Sequence, residues 1–176
     1  MHRTSPGSSF IDRLEARDRA LFLRVAISRS PSARRVWSAL THCGGARASL
    51  AAAVLPLALG GAVAVAARQA LATVAISHIL VQLVKRTVGR PRPSAGVLSA
   101  TLVAEPDRFS FPSGHSAAAM AVACVYAMAF PAMGAPLLLA AMLVGASRVC
   151  LGVHYPGDVV MGQVLAVLTA AVVRQI

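Results

Sequence analysis

The chain has 176 residues, of which 57% are hydrophobic, 5% aromatic and 13% charged, and its mean hydropathy is +0.69. Soluble domains carry about 25% charged residues, so this composition excludes an ordinary soluble globule, a disordered chain and a coiled coil, and selects a polytopic membrane protein. Seventeen basic against six acidic residues give a formal charge of +11, which on so apolar a chain fits basic loops facing anionic lipid rather than nucleic acid.

Residues 1–47 hold nine arginines and three acids with no long apolar run. The start of this stretch lacks the apolar core of a cleavable leader, so insertion falls to the internal segments. Between Ala20 and Gly45, Leu21, Phe22, Val25, Val36, Trp37 and Leu40 are mixed with Arg24, Arg29, Arg34 and Arg35. This predicts one or two amphipathic helices in the headgroup region, broken near Pro31. A basic interfacial segment, residues 1–47, thus precedes a transmembrane domain, residues 48–176.

A crossing helix needs roughly 20 mostly apolar residues. The first candidate runs from Ser49 to Ala67 and ends at Arg68, and the second from Gln69 to Val84, ending at Lys85 and Arg86. The third spans His115 to Phe130. A turn at Pro131–Gly134 leads to the fourth, Ala135 to Leu151, and the fifth runs from Val159 to Val173. Alanine and glycine dominate these stretches, which suits close backbone approach in lipid. The expected fold is all-α: a polytopic bundle of about five transmembrane helices with amphipathic helices before it. His78, with Ser77 and Gln82, reads as an interhelical hydrogen-bonding residue, and Trp37 and Tyr155 as interface anchors. Cys43, Cys124 and Cys150 have neither metal nor disulfide spacing.

Two polar stretches interrupt the apolar pattern, Lys85 to Gly114 and Ser147 to Asp158. If the spans alternate, both fall on one side, bringing Lys85, Arg90, Arg92, His115, Arg148, His154 and Asp158 together. Several fixed cations around one point suit a dianion such as phosphate, and the arginine fork matches its oxygens. Gly114 opens a helix whose N–H groups can face an anion. Two histidines offer a nucleophile and a general acid, and Asp158, four residues after His154, can accept its second ring N–H. Arg86 reads as a simple anchor, Arg90 stands open between anchor and ligand, and Glu105 and Asp107 read as residues of a solvated loop that can shape the headgroup pocket.

Lys85 followed after six residues by Arg92-Pro93, then Pro112-Ser113-Gly114-His115, then Ser147-Arg148 with His154 and Asp158 beyond, resembles the three-part motif of the type 2 phosphatidic acid phosphatase (PAP2) family. The resemblance covers about Gln69 to Arg174. Only Arg92, not Arg90 of the preceding Arg90-Pro91 pair, has the family's distance from Lys85. Family members often have six spans, and here the N-terminal amphipathic segment stands where the first would be. The resemblance implies that His154 becomes a phosphohistidine, that His115 protonates the leaving alcohol and later activates water, and that Asp158 orients His154. Lys85, Arg92, Ser113, Gly114 and Arg148 would hold the phosphate, without metal or cofactor, and the loop Ser94 to Ser110 would cover it.

The implied activity is that of an integral membrane lipid-phosphate phosphatase acting on a phosphomonoester or diphosphate. Phosphatidylglycerol phosphate, phosphatidic acid and a polyprenyl-phosphoryl pentose phosphate are the favoured substrates. An undecaprenyl diphosphate phosphatase and a lipid phosphotransferase are the alternatives; a haloperoxidase and a phosphate transporter rank behind them. The expected partners are the lipid substrate and membrane lipids, not nucleic acid, with the oligomeric state left open. The basic N-terminal segment predicts a multi-pass protein of the bacterial inner membrane whose site faces the cytoplasm and whose C-terminus lies outside.

Overall fold

The structure, a computed structural model, describes residues 10–26, 30–95 and 107–176. Among these residues it consists of α-helices and short 3-10 turns, with one isolated antiparallel bridge between Pro91 and Phe109. Helix α1 is Phe10–Val25 and α2 is Pro31–Cys43; α3, Ala46–Val54, runs on into a 3-10 turn, Leu55–Leu59. Helix α4 is Gly61–Val88, α5 Gly114–Ala129, α6 Gly134–Cys150 and α7 Pro156–Val173.

Each boundary has a local cause. Pro31, with its preset φ, starts α2, and Gly44 and Gly45 end it through N–H bonds to the Thr41 and His42 carbonyls. Gly60 and Gly61, at φ +71° and +52°, reverse the chain into α4. Gly89 closes α4 in the left-handed conformation, its N–H on the Lys85 carbonyl. Ser113 caps α5, and Pro131–Met133 turns it into α6.

Helix α5 lies at the centre, packed against α3, α4, α6 and α7. Small side chains form much of the interface: Ala66, Ala70, Ala121, Ala123, Ala166 and Ala170 are all buried. Such residues bring helix backbones close where lipid supplies no hydrophobic drive. Large apolar residues turn outward instead, among them Leu59, Ile79, Leu83, Leu139, Val160 and Leu168, as a lipid-facing surface requires.

Three helices are long and apolar enough to cross a membrane: α4, the stretch Pro131–Cys150, and α7. The two spans expected over Ser49–Ala67 and Gln69–Val84 divide differently. The break falls at Gly60–Gly61, and α4 runs unbroken for 28 residues with Arg68 exposed inside it. A single arginine on a lipid-facing helix can extend its head toward the interface, so it does not end the helix. What precedes the break is a bent pair, Pro31–Cys43 with Ala46–Leu59, kinked by 46°. Helix α5 has only 16 residues, roughly 24 Å at 1.5 Å per residue against a hydrocarbon core of about 30 Å. The expected five crossing segments keep their number only when the bent pair and α5 are counted.

Helix α1 packs on α6 and α7. Phe22 and Ala26 are buried against Val149, Tyr155 and Val159, while Phe10, Leu14, Leu21 and Val25 form an adjoining exposed apolar stripe. The ends that carry the motifs all lie together: the C-termini of α4 and α6, the N-termini of α5 and α7, and the bend between α2 and α3.

Candidate active site

Four helix ends and one turn build the site. The turn after α6 uses Gly152 at φ +79° to fold back, so that the N–H groups of Val153 and His154 both donate to the Arg148 carbonyl, at 3.1 and 3.3 Å. Pro156 then starts α7, and Asp158 caps it by accepting the Tyr155 N–H at 2.8 Å. The same carboxylate oxygen lies 3.5 Å from His154 Nδ1, at the outer edge of hydrogen-bond reach. Asp158 thus stands on the Nδ1 side of the ring, and Nε2 faces Arg92. Such contacts commonly tighten when substrate binds.

Helix α7 is clamped to the start of α5. The Ser113 N–H donates to the Asp158 carbonyl at 2.9 Å, and a Cβ at Gly162 would lie 2.4 Å from the Ser113 carbonyl oxygen. Only glycine allows this approach. At the α2–α3 bend, a Cβ at Gly44 would come within 2.8 Å of the His115 carbonyl, so the Gly44-Gly45 pair closes the opposite wall.

Lys85, Arg92, Asp107, Gly114, His115 and His154 line one cleft of about 170 Å³. Arg92 is buried, with Nη1 on the Val153 carbonyl at 2.9 Å and 3.2 Å from His154 Nε2. Its other edge is held by Asp107: Nε donates to the carbonyl at 2.6 Å and Nη2 to Oδ1 at 3.1 Å. Lys85 Nζ reaches the same carboxylate at 2.8 and 3.0 Å and the Phe109 carbonyl at 3.1 Å. Asp107 is thus no solvated loop residue but the counter-ion of both motif cations. Burial alone would raise its carboxyl; hydrogen bonds and charge from Lys85 and Arg92 prevail and hold it below the usual carboxylate range. Burial pushes the His154 imidazole down to about 4, opposed by Asp158 and reinforced by Arg92 and Arg148, so the ring is neutral at physiological pH.

Two motif residues are engaged elsewhere. Ser113 is fully buried, and its Oγ accepts from the Ser116 N–H and hydroxyl, at 3.4 and 2.9 Å. Arg148 is buried and donates from Nη1 to Thr41 Oγ1 of α2. Neither forms part of the cleft wall among the described residues. The loop Ser94 to Ser110, expected to cover the phosphate, falls largely outside the described residues, as does Glu105.

Arg90 gains a defined place. Its Nη1 bridges Asp158 Oδ1 at 2.8 Å and Asp18 Oδ2 of α1 at 2.7 Å, and its guanidinium sits 4.1 Å over the Tyr155 ring. Asp18 Oδ1 in turn accepts the Gly157 N–H at 2.8 Å. Tyr155 is therefore no interface anchor: it is buried between Arg90 and Phe22, whose ring meets it edge-on at 5.2 Å.

Residues 66–176 match the model of the PAP2 superfamily. The chain belongs to the PAP2 superfamily. This PAP2 chain is 35% identical over 127 residues to decaprenylphosphoryl-5-phosphoribose phosphatase of Mycobacterium tuberculosis, covering 69% of this chain and 70% of that one. It is 39% identical over 95 residues to lipid A 1-phosphatase of Rhizobium etli, covering 51% of this chain and 41% of that enzyme. It thus spans about two fifths of the length of that relative. Its fold matches a transmembrane PAP2 type phosphatidylglycerolphosphate phosphatase from Bacillus subtilis with a TM-score of 0.77 and 27% identity, covering 93% of this chain and 86% of the other. The PAP2 chain is accordingly an all-α, polytopic membrane protein.

Proposed function

We propose that this chain is a metal-independent membrane phosphatase that removes phosphate from a lipid phosphomonoester through a phosphohistidine on His154. One observation carries the reading. The cationic cleft continues into an apolar groove of about 400 Å³ between α3, α4 and α5, and the two share Ala46, His78, Gly114 and Ala118. A phosphate beside His154 would leave its hydrocarbon tail in that groove, along Leu50, Leu71 and Ile79.

In the resting site the Arg92 Nη1–H points at the lone pair of His154 Nε2. A bound phosphoryl oxygen takes over that donor and frees the lone pair for attack. Nε2 bonds to phosphorus as the ester P–O bond breaks, and His115 gives its proton to the departing alkoxide. Asp158 balances the imidazolium charge through Nδ1–H. His115 then removes a proton from water, which attacks phosphorus and regenerates His154. Lys85, Arg92 and Arg148 offset phosphate charge from successive shells, while Ser113 acts through the α5 cap and Gly114 through its backbone.

The favoured substrates are phosphatidylglycerol phosphate, phosphatidic acid and a polyprenyl-phosphoryl pentose phosphate. The relatives named above act on phosphorylated lipids, which supports this class. Residues 1–47 are proposed as an interfacial segment: the exposed stripe of Phe10, Leu14, Leu21 and Val25 on α1 is flanked by Arg13, Arg17 and Arg24, the pattern of a helix lying in the headgroup plane. The sequence carries nine arginines before the long spans, against Arg68 and Arg174 within and after them, which supports a cytoplasm-facing site in an inner membrane.

Purified protein in detergent, offered these lipids without added metal, tests the activity through released phosphate. Failure to release phosphate from any of them refutes it. For sidedness, Arg108→Cys and Gln175→Cys are compared in a chain lacking its native cysteines. Labelling of the former but not the latter by an impermeant reagent in intact cells reverses the assignment.

A further inference from the structure

The cleft wall holds two buried motif cations, Lys85 and Arg92, exposed by only 3% and 2%, with Arg148 buried behind it. Asp107 is the carboxylate that meets both, accepting from Lys85 and Arg92 and from the Phe109 N–H at 3.0 Å. Asp107 therefore cancels one of the two cations that line the cleft, while Arg148 adds its charge only from behind the wall. A phosphomonoester carries about −1.5 to −2 at neutral pH, whereas a diphosphate carries roughly one unit more. We propose that Asp107 is a specificity-determining residue that matches the cradle to a lipid phosphomonoester and disfavours a lipid diphosphate. The inference rests on the reading of the cleft as a lipid-phosphate site.

Geometry acts in the same direction as charge. The two-nitrogen edge of Arg92, Nε with Nη2, is the part of a guanidinium that grips a phosphate bidentately. Here that edge is filled by the Asp107 carbonyl and Oδ1. Only Nη1 faces His154 Nε2, so Arg92 offers a reacting phosphoryl group one N–H rather than two. Lys85 is likewise turned toward both Asp107 oxygens. The Asp107 side chain is one-third exposed and belongs to the cleft wall, so a second phosphoryl group extending past it would meet a carboxylate instead of an arginine fork. Across the cleft, Gly44 and Ala46 carry no charge. Asp158, the other acid nearby, shares Arg90 with Asp18, so the negative charge it leaves acts in the same direction as Asp107.

The test uses the full chain in detergent, with inorganic phosphate and pyrophosphate as probes and titration calorimetry as the readout. In Asp107→Asn the preference for pyrophosphate over phosphate should rise about tenfold, the order expected for one unit charge at roughly 6 Å in a partly solvated site. Asp107→Glu should restore the wild-type ratio. The ratio of kcat/KM for a polyprenyl diphosphate over the matching monophosphate should move the same way. A folded Asp107→Asn protein with an unchanged ratio overturns the proposal. Should that variant not fold, the wild type decides: pyrophosphate binding more than about tenfold tighter than phosphate overturns it. A wild type that binds phosphate but hydrolyses no lipid phosphate refutes the phosphatase reading, while the binding ratio still tests Asp107.

Discussion

Gly162→Ala should cripple turnover without touching any charged group. Its Cβ would stand 2.4 Å from the Ser113 carbonyl oxygen, while ordinary contact begins near 3.4 Å, so α7 and the start of α5 must part by about 1 Å. The carbonyl cannot swing away, because it accepts the Ala117 N–H at 3.1 Å while the Ser113 N–H is bound to the Asp158 carbonyl at 2.9 Å. The displacement therefore falls between His154 and Asp158 on one side and His115 on the other. Misplacement by about 1 Å costs on the order of 100-fold in rate, and overpacking of this kind costs about 1–3 kcal/mol in stability. Gly134→Ala is the control. Its Cβ would meet Ala127 Cβ at 3.5 Å and the Ala127 carbonyl oxygen at 3.7 Å, ordinary contact at the turn between α5 and α6; its rate should stay within a few-fold of wild type. Phosphate release from a polyprenyl or diacyl phosphomonoester, with a thermal melt of each protein, measures both effects. A folded Gly162→Ala enzyme with kcat within about threefold of wild type would show that the α5–α7 clamp does not set the catalytic geometry.

His154→Ala should abolish both turnover and any acid-labile phosphoenzyme, whereas His115→Ala should still form phosphoenzyme from a substrate with a good leaving group; near-normal turnover in the first refutes the assigned nucleophile. His154 has its folded pKa lowered to about 4 from 6.5. Above pH 6.5 the ring is neutral folded and unfolded; as pH falls from 6.5 to about 4 the unfolded chain gains a proton that the folded one refuses, so stability declines in that window. His154→Gln should flatten this part of the melting-temperature profile, and an unaltered slope counts against the buried neutral ring. Arg90→Lys and Asp18→Asn should each lower kcat by about tenfold with little change in KM, because an ammonium cannot bridge two carboxylates while stacking on Tyr155; a rise in KM at constant kcat assigns Arg90 to substrate binding instead. Arg86→Lys, at an exposed position on α4, should leave the rate unchanged.

The convergence of Lys85, Arg92, His115 and His154 was legible in the sequence because each stands at the end of an apolar run, where alternation of spans alone decides which residues meet. The span limits before Lys85 were not. Gly60 and Gly61 lie inside a stretch of alanine and leucine where glycine is unremarkable, and only their positive φ values reveal a reversal. The destinations of Ser113 and Arg148 were hidden for a related reason. A motif gives residue type and spacing, but whether a hydroxyl faces the cleft or caps a helix depends on the local backbone. Asp107 and Asp18 find their cations across 22 and 72 residues, distances at which pattern gives no pairing. Tyr155 was misread because aromatic residues near span ends usually anchor to headgroups, whereas here α1 covers it.

The bond from the Gly157 N–H to Asp18 joins residues 139 apart, and that from Arg148 to Thr41 joins residues 107 apart. During synthesis the first helices leave the ribosome long before their partners exist. Closing such long loops is slow relative to forming local contacts, so the seam between α1 and α7 is among the last to form. Until then Asp158 lacks the Arg90–Asp18 brace. A chain halted before α7 inserts would therefore carry helices but no competent centre, and hydrolysis of the surrounding lipid would begin only when the two ends of the polypeptide have met.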